Sequence, residues 1–393
     1  MRTEEVTGVA RLRVAIVAPS LGILGGQAVQ ADRLLHEWQN DPDVDAWLVP
    51  VNPVPPRPLR WTTRVKYLRT LVTELVYGPQ LVRELWRADV VHVFSASYSS
   101  FLLAPLPAIA VARMLGRPVV LNYRSGQAPD HLSGSAIARS ALASVDMNVV
   151  PSRFLKDVFA RFGVDATVIP NIVDLGRFVF REREPLRPRI VSTRNFESLY
   201  NVACTIRAFR IVQDRRPDAT LTLVGGGHEE QSLKALVAKL GLRQVVFAGR
   251  VGPDEIARHY DANDIYVQSP NIDNMPTSIL EAFASGLPVV STNVGGVPAI
   301  VTDQVHGLLS PADDHEALAA HILGLIEDPL TAKRLTHAAY ATCQRCTWTA
   351  VRELWLQVYR QVLPASFGRR SMAEHDAAPR TKDQSRCAES PVS

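Results

Sequence analysis

The sequence predicts an α/β protein made of two doubly wound parallel sheets. Three observations carry this prediction. Short apolar runs rich in Val and Ile alternate with helical patterns almost from end to end, the mark of parallel βαβ units covered on both faces. The alternation breaks once, at Arg181–Pro188, and then restarts. The 393 residues exceed what one ordinary α/β domain needs and suit two.

Taken in order, residues 1–10 form an N-terminal tail and the first domain spans 11–180. Its strands are expected at Arg13–Ala18, Ala46–Val49, Val90–Phe94, Val119–Tyr123, Met147–Val150 and Thr167–Ile169. Residues 181–188, a run of Arg, Glu and Pro, read as a linker. The second domain, 189–346, should carry strands at Arg189–Thr193, Thr220–Val224, Val245–Ala248, Ile265–Gln268, Val289–Thr292 and Gly307–Leu309. Helical patterns follow at Asp314–Glu327, Leu330–Thr342 and Thr349–Val362. The last lies within 347–364, is stopped by Pro364, and is expected to pack back towards the first domain. Residues 365–393 turn polar with mixed charge and are expected to be a disordered tail.

Composition bounds the function. Hydrophobic residues make up 47% and charged residues 21%, a globular balance. A net charge of +4 does not imply nucleic-acid binding, and no nucleic-acid partner is expected. Seven basic residues against two acids lie between Arg57 and Arg87, so the excess charge sits there. The opening Met-Arg-Thr-Glu-Glu lacks an apolar signal region, so no export is expected. The longest apolar run, Phe101–Ala112, contains Pro105 and Pro107 and is too short to cross a bilayer of about 30 Å. Four cysteines form no disulfide framework, and the Cys343/Cys346 spacing reads as accidental. A cytoplasmic location follows as the expectation.

In open parallel sheets ligands collect at the carboxyl ends of strands, so the segments after each strand are the places to search. After Ile265–Gln268 comes a loop, Ser269–Met275, and then a helix opened by Pro276. Proline suits a first turn, whose N–H groups have no partner within the helix and can hold anionic oxygens. Asp273 stands just before that helix and Glu281 inside it, four residues from Thr277 and on the same face. On residue type alone, Asp273 also fits an ordinary acid near a helix N-terminus, and Glu281 a helix residue reaching solvent.

The stretch from Asp273 through Val290, with Glu281 eight positions after Asp273 and Gly295-Gly296 beyond, resembles the signature of the large retaining family four of GT-B glycosyltransferases (the group 1 type). The resemblance implies the GT-B architecture, two Rossmann-like domains facing across a cleft. It implies that Glu281 binds the ribose of a nucleotide sugar and that Asp273 contacts the transferred sugar. The segment Met275-Pro276-Thr277-Ser278 would hold the diphosphate or sugar, with the N–H groups of Met275, Thr277 and Ser278 as donors around the turn at Pro276. Pro170-Asn171-Ile172-Val173-Asp174, with Phe178, and the glycine turn Val224-Gly225-Gly226-Gly227 also resemble family segments, and Gly226 is taken as donor-binding. Arg194 ends the first strand of the second domain, where the family keeps an arginine for the diphosphate. Gly22-Ile23-Leu24-Gly25-Gly26-Gln27 lacks GxGxxG spacing, which argues against NAD binding; it resembles the family's glycine-rich loop by the donor phosphates, with Gly25 and Gly26 at the donor.

Three departures qualify the resemblance. The leading acid is Asp273, one methylene shorter than the usual Glu. No lysine follows Arg194 through Asn201, leaving Tyr200 or Asn201 as neutral donors. Arg124 stands where many members keep a histidine near the sugar, and cannot act as a base at ordinary pH. His92, in a Val-rich strand, reads as a packed core residue.

The expected function is thus sugar transfer from a nucleotide diphosphate donor, with retention, to a glycan or lipid-linked acceptor. Arg194, Asp273, Glu281 and Arg124 are the catalytic candidates. No cofactor and no metal are expected. The competing reading is a nucleotide-sugar-binding or scaffold protein that has lost turnover, and a hydrolase or phosphorylase on the same fold is a weaker one. Val65, Leu68, Val72, Leu75 and Val76 predict an amphipathic helix over Thr62–Tyr77, with Arg60, Arg64, Lys66 and Arg69 clustered beside Trp61 and Tyr67. Two readings stay open for residues 57–87: a helix packed on the sheet, or a peripheral contact with an anionic membrane.

Overall fold

The computed structural model describes residues 11–22 and 25–364; the expected tails 1–10 and 365–393, with Ile23 and Leu24, lie outside the described residues. Within them every expected strand is present. The first sheet contains β1 (Leu12–Ala18), β2 (Val44–Pro50), β3 (Val90–Ser95), β4 (Val119–Tyr123), β5 (Met147–Val150) and β6 (Thr167–Val168), in the order β2-β1-β3-β4-β5-β6. The second contains β7 (Arg189–Thr193), β8 (Thr220–Val224), β9 (Val245–Gly249), β10 (Ile265–Val267), β11 (Val289–Thr292) and β12 (Leu308–Ser310), in the order β12-β11-β10-β7-β8-β9. All neighbouring pairs run parallel.

Each sheet is covered on both faces, which is why its strands read as unbroken apolar runs. Val14 and Ile16 of β1 join a core with Leu34 and Trp38 of the helix Gly26–Gln39. Ala15 and Val17 face the opposite core, with Tyr77, Leu81 and Leu85 of the helix Lys66–Leu85. In the second sheet Ile190 and Leu221 pack with Phe209, whereas Val191 and Tyr266 pack with Ile279 and Phe283. The winding reverses between β1 and β3 and again between β7 and β10, so a crevice opens at the carboxyl ends beside each first strand.

The chain crosses between the lobes earlier than residues 181–188. Ile169 and Ile172 belong to the first lobe's core, whereas Val173 and Phe178 belong to the second's. The Val173 N–H donates to the carbonyl of Cys346 at 2.8 Å, so the outgoing and returning crossings are tied side by side. The expected linker is fastened to the second lobe. Arg183, buried, donates to the carbonyls of Tyr260, Asn263, Ser285 and Gly286. Arg187 pairs with the fully buried Asp264 at 2.9 Å. A run of Arg, Glu and Pro reads as solvated chain only until its arginines find acceptors.

The helix Trp348–Val362 lies on the first sheet, with Val351, Trp355 and Tyr359 in the core of β1 and β4. Arg352 fixes it to Asp41 and Asp43, both at 2.6 Å. Cys343 and Cys346 are core residues whose thiols burial pushes up, to about 12 and about 11. The basic window is two elements, a 3-10 helix Arg57–Arg64 and the helix Lys66–Leu85, separated by extended Val65. The helix expected over Thr62–Tyr77 therefore starts later and runs longer. Among the described residues no helix is long and apolar enough to cross a membrane.

Asp264→Ala should remove the carboxylate beside two arginines, one of them buried, and lower stability by about 3 kcal/mol. Denaturant unfolding monitored by circular dichroism measures this, and an unchanged midpoint would mean that the carbonyl contacts of Arg183 suffice.

Candidate active site

A cleft of about 420 Å³ opens where the two sets of carboxyl ends meet. The first lobe lines it with Gly25, Gly26, Arg33 and Arg124, and the second with Arg194, Gly225, Arg250, Asp273, Thr277, Ser278 and Glu281.

Asp273 is held by backbone shape. A Cβ on Gly295, whose φ is +53°, would stand 2.1 Å from the Asp273 carbonyl, and one on Gly296 would stand 1.8 Å from that of Asn274. The paired glycines therefore form the bed on which the acid loop lies, and the Gly296 N–H donates to the Asp273 carbonyl at 3.0 Å. One carboxylate oxygen of Asp273 pairs with Arg194, and the other accepts the Asn274 N–H at 2.8 Å.

Arg194 follows β7 directly. Its guanidinium lies 4.0 Å from the ring centre of Tyr200 and donates to Ser278 Oγ at 3.1 Å. Its Nε–H is buried with no partner. Burial by itself would lower its pKa; the Asp273 carboxylate outweighs that and raises it. Tyr200 thus supports Arg194 with its ring. Asn201 caps the next helix and bonds Asn271 and Asp313, and does not line the cleft.

Glu281 sits on the helix Thr277–Ala284, of which Pro276 is the cap residue rather than the first helical one. Its Oε1 accepts from Arg33 of the opposite lobe at 2.7 Å and its Oε2 from the Tyr260 hydroxyl at 3.0 Å. The Met275 carbonyl accepts from Asn171 at 2.6 Å, so the start of this helix is tied to the crossing segment. Gln30, one turn before Arg33, both accepts from the Ile172 N–H and donates to its carbonyl, each at 2.8 Å.

Arg124 lies over Phe94 and donates to Asn171 and, at 3.4 Å, to Asn122. Burial brings its pKa down to about 9. Behind it the fully buried His92 is bonded on both ring nitrogens, to Tyr359 at 2.8 Å and Asn122 at 3.1 Å. It is a core residue, as its strand suggested, and burial first, then the Arg124 charge, takes its pKa down to about 3.

Gly226 differs from expectation. Gly225 lines the cleft, where a Cβ would meet the Arg194 carbonyl at 2.1 Å, whereas Gly226 backs onto Arg250 and is not part of the lining. Sequence reasoning also missed Arg33, Arg250 and Tyr260. Arg33 carried a signal: it falls with Gln30 on the buried face of an amphipathic helix, among Ala31, Leu34 and Trp38, where polar residues need partners. Among the described residues no cluster of His, Cys, Asp and Glu is placed to hold a metal ion.

Two facing lobes, each a doubly wound parallel sheet, give the chain the GT-B fold. The family description "Glycosyltransferase Family 4" matches residues 12–177, and "Glycosyl transferases group 1" matches 179–342. The chain belongs to glycosyltransferase family 4. It is 24% identical over 72% of its length to a sulfoquinovosyl transferase of Arabidopsis thaliana. It is 30% identical over 49% of its length to a GDP-mannose-dependent phosphatidylinositol monomannoside mannosyltransferase of Mycolicibacterium smegmatis. The matches span 59% and 57% of those two relatives. The structure of HepE from Anabaena with UDP and glucose superposes with a TM-score of 0.70 at 17% identity, covering 88% of this chain and 99% of that one.

The neutral, buried His92 makes stability depend on pH. Unfolded, the ring protonates below about 6.5; folded, it does so only near 3, so the unfolded state binds more protons between these values. Stability should fall as pH drops from 6.5 towards 3, by on the order of 4 kcal/mol from this residue. A His92→Phe variant, weaker at pH 7, should show a flatter profile in urea titrations; an equally steep one would assign the loss to other groups.

Proposed function

We propose that the protein transfers a sugar from a nucleotide diphosphate to a glycan or lipid-linked acceptor, with retention of configuration and without a metal. The observation that carries this reading is the convergence of Asp273, Arg194 and Glu281 on one cleft between the lobes. Glu281 offers a carboxylate for the ribose hydroxyls, because two bonded donors leave it further lone pairs. Asp273 faces the transferred sugar. Arg194, with its spare Nε–H, and the N–H groups opening the Thr277–Ala284 helix stabilise the charge that develops on the departing diphosphate. The acceptor then attacks on the face vacated by the leaving group.

A lipid acceptor is supported by the surface of the first lobe. The helix Lys66–Leu85 has two apolar faces. Val72, Tyr77, Leu81 and Leu85 are buried on the sheet, while Leu71, Leu75, Val82 and Trp86 recur at steps of four and seven and are exposed. Arg69, Arg83 and Arg87 are exposed on the same segment, the last two paired with Glu84 at 2.8 and 2.6 Å, and Trp61, also exposed, precedes it. The side chains of Arg64, Lys66 and Tyr67 lie outside the described residues. Both open readings of this window therefore apply to it, one for each face. An apolar stripe on a segment with exposed arginines fits an anionic bilayer, each basic residue near the surface adding about 1 kcal/mol. The relative from Mycolicibacterium smegmatis carries a phosphatidylinositol in its name.

Glu281→Gln should weaken donor binding by about 1.5–3 kcal/mol, the value of one charge-assisted hydrogen bond. Titrating UDP- and GDP-sugars into both proteins by calorimetry checks it, and equal affinities would remove Glu281 from the site. Turnover of the bound donor, followed by the anomeric configuration of the product, separates a retaining transferase from a binding protein. The full chain should pellet with phosphatidylglycerol vesicles at low salt, while a variant with Leu71, Leu75, Val82 and Trp86 changed to Ser stays in the supernatant. If both stay there, the membrane contact fails and a free acceptor takes its place.

A further inference from the structure

We propose that Arg250 is the second guanidinium that grips the donor's diphosphate, opposite Arg194; this rests on the transferase reading of the cleft. Four arginines face the cleft, and three are already engaged. Arg33 is paired with Glu281 and with the carbonyl of Ile172. Arg194 is paired with Asp273. Arg124 is held by Asn122 and Asn171. The two ion pairs cancel, so they offer little net charge to a diphosphate, which carries more than one negative charge. Arg250 is exposed, and among the described residues it forms one hydrogen bond, 3.3 Å to the Gly226 carbonyl, and no ion pair.

Its position is set by strand register. Thr193 of β7 lies beside Val224 of β8, and Val224 lies beside Gly249 of β9. Arg194, Gly225 and Arg250 are therefore the first residues beyond three adjacent strands. Two strand spacings separate the arginines, about 10 Å, so their side chains can bracket one diphosphate over the bare turn between them. The turn is shaped for this. A Cβ on Gly225 would strike the Arg194 carbonyl at 2.1 Å, and one on Gly226 would stand 3.1 Å from both Cγ and Nε of Arg250. Glycine at 225 lets the backbone that carries Arg194 lie against the turn, and glycine at 226 leaves room for the Arg250 side chain; paired, charge-assisted bonds to phosphate are what a guanidinium does best.

The test titrates UDP and GDP into the full chain, Arg250→Gln and Arg250→Lys by calorimetry, with uridine and guanosine followed by ligand-observed NMR. The Gln variant should lose about tenfold in affinity for the diphosphate that binds, with nucleoside affinity unchanged. The Lys variant should recover part of the loss, and the salt dependence of binding should flatten in Gln. Unaltered melting of the unliganded variants checks that the fold is intact, as expected of an exposed side chain. Equal diphosphate affinity in the Gln variant overturns the inference while leaving the transferase reading in place. An equal loss for the nucleoside overturns it in favour of a contact to the base. If the wild type binds neither diphosphate, the transferase reading fails and this inference with it.

Discussion

The ion pair between Arg33 and Glu281 joins the two lobes at the point where the chemistry is proposed. Both side chains are buried, and removing two charges from water costs more than a bare pair returns. The pair persists because each partner has further bonds. Arg33 also donates to the Ile172 carbonyl, and Glu281 accepts from Tyr260. Gln30 closes the arrangement by bonding both backbone groups of Ile172. One helix of the first lobe therefore holds both the crossing segment and an acid of the second lobe. The setting of the lobes and the orientation of Glu281 are one constraint, so a ligand that draws on this carboxylate also acts on the lobe contact.

The rest of the cleft follows from where parallel strands end. Arg194 and Arg250 leave the ends of β7 and β9, two strands apart in the second sheet, and Arg124 leaves the end of β4 in the first. Long side chains from fixed strand ends reach a common space without any flexible loop needing to find it. The acid loop is the exception, since it follows β10 without regular structure. Its place is set by Gly295 and Gly296, whose missing side chains let the Asp273 and Asn274 carbonyls approach to distances no other residue allows.

How much of this was legible in the sequence depended on how local the cause was. Strands buried on both faces advertise themselves, because Val14 to Val17 must all be apolar whichever core they meet. Thr277 and Glu281 were legible because a helix repeat places them on one face, whereas Asp273, in the loop before, stood out only through the resemblance to the family signature. Arg33 was missed because its partner lies 248 residues away, and nothing in a helix pattern names a partner at that range. Arg250 was missed because, unlike Arg194, no family resemblance marks it, although it too follows a strand end. The segment 181–188 was read as a linker because composition does not reveal what fastens it, backbone carbonyls for Arg183 and the buried Asp264 for Arg187.

The helix Lys66–Leu85 marks where periodicity ceases to decide. Its apolar residues occur on so much of the circumference that Val65, Leu68, Val72, Leu75 and Val76 can be drawn as a single stripe. The sheet accepts only part of it: Val72 is buried, whereas Leu75 is 66% exposed and Val65 49%. The inner face is explained by the fold, which needs a helix there to cover β-strands. The outer face is not, since polar residues at Leu71, Leu75, Val82 and Trp86 would serve folding equally well. A single exposed leucine carries no meaning, but four aligned apolar side chains on a segment that also exposes arginines are a surface the fold does not require. The membrane contact proposed above would account for that outer face.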